Sequence, residues 1–195
     1  DALRGSGITH RATGHATAPA TFSEALQGVS RRLRIGITTR HPWESFSGVG
    51  LHEDADLAYR AVASHLEGLG HDVVELNWEP RSGYPEAFTT IWKSAAASLD
   101  LAQSEHELLE PLTRYLVEAG ERLGAHELAR ALRELSAWEE DTIGQFSSVD
   151  VVLTPGLAAV PPRLGFYDAH DPEVNFRQQV EVTPYSSFVN VAGLP

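Results

Sequence analysis

The apolar positions of the chain change period several times, and each change marks an element. Leu33-Arg34-Ile35-Gly36-Ile37-Thr38 alternates apolar with other residues and is bounded by His41-Pro42, which predicts a strand. A glycine-containing loop, Ser47-Gly48-Val49-Gly50, follows. From Asp54 onward Leu57, Ala58, Ala61, Val62 and Leu66 recur three to four positions apart, the period of a helix, until Gly68 and Gly70 stop it. His71-Asp72-Val73-Val74-Glu75-Leu76 then reads as a second strand. Strand, helix and strand with short connections form a βαβ unit, which brings parallel strands and a right-handed crossover.

From Pro85 to about Phe146 the pattern is helical. Phe88, Ile91, Trp92, Ala95 and Leu99 mark one face, Leu108, Leu112, Leu116 and Leu123 a second, and Leu128, Leu132, Leu135 and Trp138 a third, with Gly120 and Gly124 as punctuation. Glu110 with Arg114 and Glu118 with Arg122 are acid-first i,i+4 pairs, each worth ~0.2–0.5 kcal/mol on an exposed face. The short apolar run Val149-Asp150-Val151-Val152-Leu153, ending in Thr154-Pro155, predicts a buried third strand. The remainder, through Pro161-Pro162 and Asp171-Pro172 to Pro184, reads as loop until the apolar segment Phe188–Gly193. Residues 1–30, rich in Gly, Ala, Thr, Ser and His, read as a linker or surface wrapping in which Phe22 and Leu26 tether a short helix.

Composition places these elements in a globular α/β protein: 195 residues, 42% hydrophobic and 22% charged. The lack of cysteine removes disulfides, thiolate nucleophiles, iron–sulfur clusters and Cys-ligated zinc. A formal charge of −12, with Lys93 as the single lysine, argues against nucleic acid or an anionic membrane as partner. No run of 18 apolar residues occurs and the start is polar, so the cytoplasm is the expected compartment. The chain has no methionine and its apolar segment runs into Gly193-Leu194-Pro195, so a piece of a longer protein is expected.

Complete catalytic motifs are missing. The phosphate loop would need Lys93 after glycines that are not there, and G-x-G-x-x-G does not follow the Ile35 strand. His106-Glu107 and His126-Glu127 lack the second histidine of a zinc helix. Asp168, His170 and Asp171 cluster as cation ligands would, but solvation and Asp-Pro turn chemistry explain them more simply. Neither G-x-S-x-G nor S-x-x-K occurs, Thr90-Ile91-Trp92-Lys93 being the nearest approach and Gly5-Ser6-Gly7 a linker fragment. No cofactor or metal is expected.

The order of segments nevertheless resembles the amidase signature family of serine hydrolases. The resemblance rests on Leu33–Thr38, on Leu66-Glu67-Gly68-Leu69-Gly70-His71-Asp72-Val73-Val74, on Asp150-Val151-Val152-Leu153-Thr154-Pro155, and on Thr183–Pro195 with its closing N-x-x-G-x-P. It covers about residues 30–195, which would be the later part of an amidase domain. It implies a large mixed β-sheet covered by helices, here an incomplete segment. It also implies hydrolysis of carboxamides to acid and ammonia or amine. In the family a neutral lysine draws a proton through a bridging serine, so that a second serine attacks the carbonyl and forms an acyl-enzyme.

The chain departs from that pattern, because Lys93 does not match the catalytic lysine and the Gly/Ser-rich signature is not in these residues. The resemblance therefore assigns no catalytic residue here, and gives this segment a scaffold and pocket-wall role with Trp92, Tyr185 and Asn190 as substrate-binding candidates. The simpler readings are a core aromatic for Trp92, packing for Tyr185, and a loop-backbone hydrogen bond for Asn190. The implied partner is a small amide, and a homo-oligomer is compatible with it. Two alternatives stand beside this one: a non-catalytic α/β ligand-binding or assembly module, and the amidase-like subunit of a tRNA-dependent amidotransferase. On the leading reading the isolated chain exposes apolar sheet edge.

Overall fold

The alternation at residues 33–38 becomes the central strand of a parallel sheet. In a computed structural model, which describes residues 23, 31–46, 48, 50–99 and 101–194, the elements run β1 (Arg34–Ile37), α1 (Glu53–Gly68), β2 (Asp72–Glu75), α2 (Tyr84–Ala97), α3 (Gln103–His106), α4 (Pro111–Glu121), α5 (Ala125–Phe146), β3 (Val151–Leu153), α6 (Pro172–Val182) and α7 (Ser186–Val191). The sheet order is β2-β1-β3, with Ile35 opposite Val73 on one side and Val151 on the other, all parallel. The βαβ unit is therefore present as β1-α1-β2. The proposed linker at 1–30, with Phe22 and Leu26, lies outside the described residues except for Ser23.

Local chemistry sets the helix ends. At the start of α1 the His52 side chain accepts from Asp54 N–H, and Glu53, Asp54 and Asp56 place negative charge at the positive end of the helix dipole. Pro85 and Pro111 occupy first-turn positions of α2 and α4, where a missing N–H costs nothing. The Glu127 carboxylate turns back to accept the Gly124 N–H at 2.9 Å and so closes the first turn of α5.

Several expectations are corrected. Residues 161–184 are not all loop: Asp171 accepts from the N–H groups of Glu173 and Val174 and starts α6, which buries Phe176, Val180 and Val182. The Asp-Pro pair is thus an N-cap followed by a first-turn proline. The third strand is not buried but is an edge among the described residues, with Val151 47% exposed. On α1 the apolar stripe is real but faces outward at Leu57 and Val62, while Tyr59 and Ala63 are buried. Leu99, Leu108 and Leu132 are likewise exposed; α5 packs through Ala131, Trp138, Thr142 and Phe146. Arg114 does not pair with Glu110; its guanidinium donates to the carbonyls of His106, Glu107 and Leu109 and holds α3 against the start of α4.

The core is an aromatic seam in which Trp43, Trp78, Tyr84, Phe88, Trp138 and Phe188 are at most 9% exposed. It joins α2 to α5, α7 and the segments after β1 and β2, and α2 also crosses α4. The crossing with α4 is close because position 120 is glycine: a Cβ there would overlap the Lys93 carbonyl and stand 2.7 Å from Ala97 Cβ. Gly120 is thus a contact point between helices rather than punctuation.

The turn leaving β1 carries Trp43 into this seam. It is held by Glu44, whose Oε1 accepts from Arg40 Nε at 2.7 Å and from the His41 N–H at 3.2 Å. Burial alone would raise the Glu44 pKa, but these two donors outweigh it and hold the carboxyl below its ordinary value. His41 is 3% exposed and its Nδ1 has no partner among the described residues. Burial pushes its pKa below the ordinary value, Glu44 opposing and Arg40 reinforcing in smaller measure.

Three outcomes are expected. Gly120→Ala should destabilise the fold by about 1–3 kcal/mol in urea titration, whereas Gly144→Ala, where nothing stands within 4 Å, should stabilise it by about 0.5–1 kcal/mol. Equal effects at the two sites would remove the close-crossing account. Because folded His41 refuses a proton that the unfolded chain accepts, stability should be whole above about pH 6.5 and fall as pH drops below it. His41→Phe should flatten the urea midpoint between pH 7.5 and 5.5 relative to the native chain, and an unchanged slope would assign it to other groups. Finally, the outward stripe of α1 and the β3 edge should bind anilinonaphthalene sulfonate in the folded chain. A dye-free, sharply melting monomer is the contrary result.

Candidate functional site

A cleft of about 240 Å³ opens between α2 and the α6–α7 pair, with Trp43 at its base. Its ring-bearing walls are Phe88 and Trp92 from α2 and Phe176 from α6. Phe88 and Trp92 are one helical turn apart and their ring centroids lie 5.3 Å from each other, while Trp92 and Phe176 meet in a tilted contact at 5.9 Å. Trp43 meets Phe88 edge-on at 5.3 Å and Phe176 at 6.1 Å. Such edge and tilted arrangements place the positive ring edge on the negative face of the neighbour.

One hydroxyl anchors the base. Ser187 Oγ accepts from Trp43 Nε1 at 2.8 Å and from the Tyr84 hydroxyl at 3.0 Å. Burial holds the Tyr84 phenol above its ordinary value, against a smaller opposing effect of the Ser187 bond, so it remains a neutral donor. With two bonds accepted, Ser187 has its own hydroxyl hydrogen left to give.

Gln179, Thr183, Ser186 and Asn190 form the polar part of the lining. Gln179 Nε2 donates to Asn175 Oδ1 at 2.7 Å, and Asn190 Nδ2 donates to the Ser186 carbonyl at 3.3 Å. Both amide oxygens are without a donor among the described residues. Among the described residues, none of the lining carries a formal charge.

The structure therefore brings two of the three substrate-binding candidates together. Trp92 is not a core residue: it is 42% exposed and lines the cleft. Asn190 sits on α7 across from it and also bonds backbone within its own helix. Tyr185 is not in the lining. It is 3% exposed, donates its hydroxyl to the Thr39 carbonyl at 3.1 Å and stands edge-on to His41 at 5.3 Å. Burial, reinforced by Glu44, pushes its phenol up to about 12.

Sequence reasoning missed Trp43, Phe176 and Ser187. Phe176 lies on the helix taken for loop, where Asp171-Pro172-Glu173 was the available signal. Trp43 and Ser187 meet only through tertiary structure, 144 positions apart.

Other candidate groups are otherwise engaged. Asp168 Oδ1 accepts from the N–H groups of His170 and Asp171, and these backbone donors, Asp171 first, hold its carboxyl below the ordinary value. Among the described residues no group of three or more His, Cys, Asp or Glu could hold a metal ion. The Lys93 ammonium lies over the Tyr115 ring, 5.6 Å from its centroid. Among the described residues no helix is long and apolar enough to cross a membrane.

Comparison with known proteins gives a consistent assignment. The amidase family model matches residues 6–195. AmiB2 of Mycobacterium tuberculosis is 31% identical over 184 residues, covering 92% of this chain and 39% of that protein. The 2-amino-5-chloromuconic acid deaminase of Comamonas testosteroni is 29% identical over 153 residues, covering 75% of this chain and 30% of that protein. The chain thus spans between 30% and 39% of the length of these two curated relatives. Among solved structures, 6-aminohexanoate cyclic dimer hydrolase with bound substrate superposes with a TM-score of 0.66 at 21% identity, covering 94% of this chain and 42% of that one. A bacterial aryl acylamidase of the amidase signature family superposes with a TM-score of 0.60 at 19% identity, covering 88% and 37%. The last two share the fold, and the family match over nearly the whole chain goes further: this chain belongs to the amidase family.

Proposed function

We propose that residues 31–195 are the later part of an amidase domain whose whole protein hydrolyses carboxamides, and that this part supplies scaffold and one wall of the substrate pocket. The observation that carries the reading is the cleft itself, a concave uncharged site in a chain of the amidase family, walled by Trp92 and rimmed by Asn190. Tyr185 serves as a positioning residue, tying the α6–α7 junction to the Thr39 carbonyl behind the cleft.

The chemistry proposed for the whole protein is a serine acyl-enzyme reaction. A serine hydroxyl adds to the amide carbonyl and its proton passes to the leaving nitrogen; ammonia or an amine departs, and water then releases the carboxylic acid. The nucleophile and its base are assigned to sequence outside these 195 residues, since Lys93 does not match the family's catalytic lysine and the Gly/Ser-rich signature is not in these residues. The partner is a small amide, the compartment the cytoplasm, and association of copies is compatible with the exposed apolar surface.

The fold neighbours are named for different amides, a cyclic dimer of 6-aminohexanoate and aryl acylamides, so the names leave the acyl group open. The test is ammonia or amine release from a panel of aliphatic and aryl amides by the 195-residue chain and by the protein extended through its natural flanking sequence. Release is expected from the extended protein alone, and is abolished when its signature serine is changed to alanine. No release from either would overturn the amidase reading.

A further inference from the structure

We infer that the cleft between α2 and α6–α7 takes an uncharged aromatic ring, which, resting on the amidase reading, is a ring borne by the carboxamide substrate. Three features of the cleft converge on that ligand.

The first is ring surface open to solvent. Trp92 contacts Phe88 and Phe176 at 5.3 and 5.9 Å, yet the residue remains 42% exposed and lines the cleft. A planar group lying there gains an offset or edge contact with Trp92 and Phe176 at once, which a flexible aliphatic chain of the same size gains only in part.

The second is size. A closed apolar cavity of about 150 Å³ holds benzene. A cleft of about 240 Å³ therefore has room for one ring with a short substituent.

The third is charge. The protein carries −12 overall, yet among the described residues none of the lining is acidic or basic. A carboxylate entering the cleft would lose water without meeting a cation, and a cation would meet no carboxylate. Neutral polar atoms are provided instead: the spare hydroxyl hydrogen of Ser187 at the base, and the amide oxygens of Gln179 and Asn190 at the rim. These match a ring bearing one acceptor and one N–H or O–H donor.

The test is binding, read without turnover. Ligand-observed NMR titrations of the chain with benzamide, cyclohexanecarboxamide and benzoate should show benzamide bound and benzoate at least about tenfold weaker, with cyclohexanecarboxamide between them. Trp92→Ala should weaken benzamide by about tenfold while leaving the far-UV spectrum intact, since that side chain is half exposed. Ser186→Asp, a change at an exposed position of the lining, should bring in benzamidine, the cation of the same shape, which the native cleft rejects. Benzoate binding as well as benzamide, or a Trp92→Ala chain that binds benzamide unchanged, would overturn the proposal. Should the alanine variant lose its fold, the Ser186→Asp arm decides: indifference to benzamidine counts against the cleft.

The two readings fail separately. An extended protein that hydrolyses only aliphatic amides keeps the amidase activity and overturns the aromatic ligand. A protein that hydrolyses nothing, while the chain still binds benzamide through Trp92, overturns the activity and keeps the cleft.

Discussion

The hydroxyl of Ser187 is the point on which the arrangement of distant segments depends. It accepts from Trp43, which leaves β1, and from Tyr84, which opens α2, while belonging itself to α7. Both donors are essentially buried, so neither could go unpaired without a cost of about 1–3 kcal/mol. A single oxygen therefore fixes three segments relative to one another. Non-directional burial of aromatic rings would not do so on its own, because rings slide over each other at little cost whereas a shared hydrogen-bond acceptor does not.

Around that point the packing is set by what each position omits as much as by what it presents. Gly120 omits a side chain so that α4 can approach the Lys93 carbonyl on α2, which fixes where α2 lies and hence how far Trp92 stands from Phe176. Glu44 holds the turn that delivers Trp43, and Asp171 starts the helix that delivers Phe176. The cleft thus rests on caps, turns and one helix crossing together with the ring contacts and the Trp43–Ser187 hydrogen bond within its own lining. Its walls are side chains of rigid elements, which favours a fixed shape over one assembled around the ligand.

Much of the architecture was legible because its signals are local. The alternation at Leu33–Thr38 and the glycines at 68 and 70 lie within a few residues of the structure they specify, and the β1-α1-β2 unit follows from them. What a local pattern does not carry is the partner. The stripe through Leu57 and Val62 announces a helix, yet the side that meets the sheet is the one with Tyr59 and Ala63. The run Val151–Leu153 looked buried because apolar runs usually are, and it is an edge here because no strand is described beyond it. Helix α6 was a different case: Asp171-Pro172-Glu173 serves turn and helix start alike, and the decision lies in Phe176 and Val180, four apart, finding the aromatic seam. For the cleft, family resemblance supplied Trp92 and Asn190, while Trp43 and Ser187 required the fold.

The seam also explains how a chain so rich in acids comes to hold an uncharged cleft. Charged side chains need water or partners, so they collect where the chain is solvated, as in the exposed Arg60–Asp56 and Arg31–Asp150 pairs. The positions between α2 and α6–α7 instead continue the buried ring cluster outward: Trp43 and Phe88 belong to the core and to the cleft lining at once. A charge placed at the cleft base would border that core and pay the same desolvation cost as one inside it. Neutrality of the cleft is thus imposed by the packing that forms the fold, and preference for a neutral, flat ligand follows from where the core happens to open to solvent.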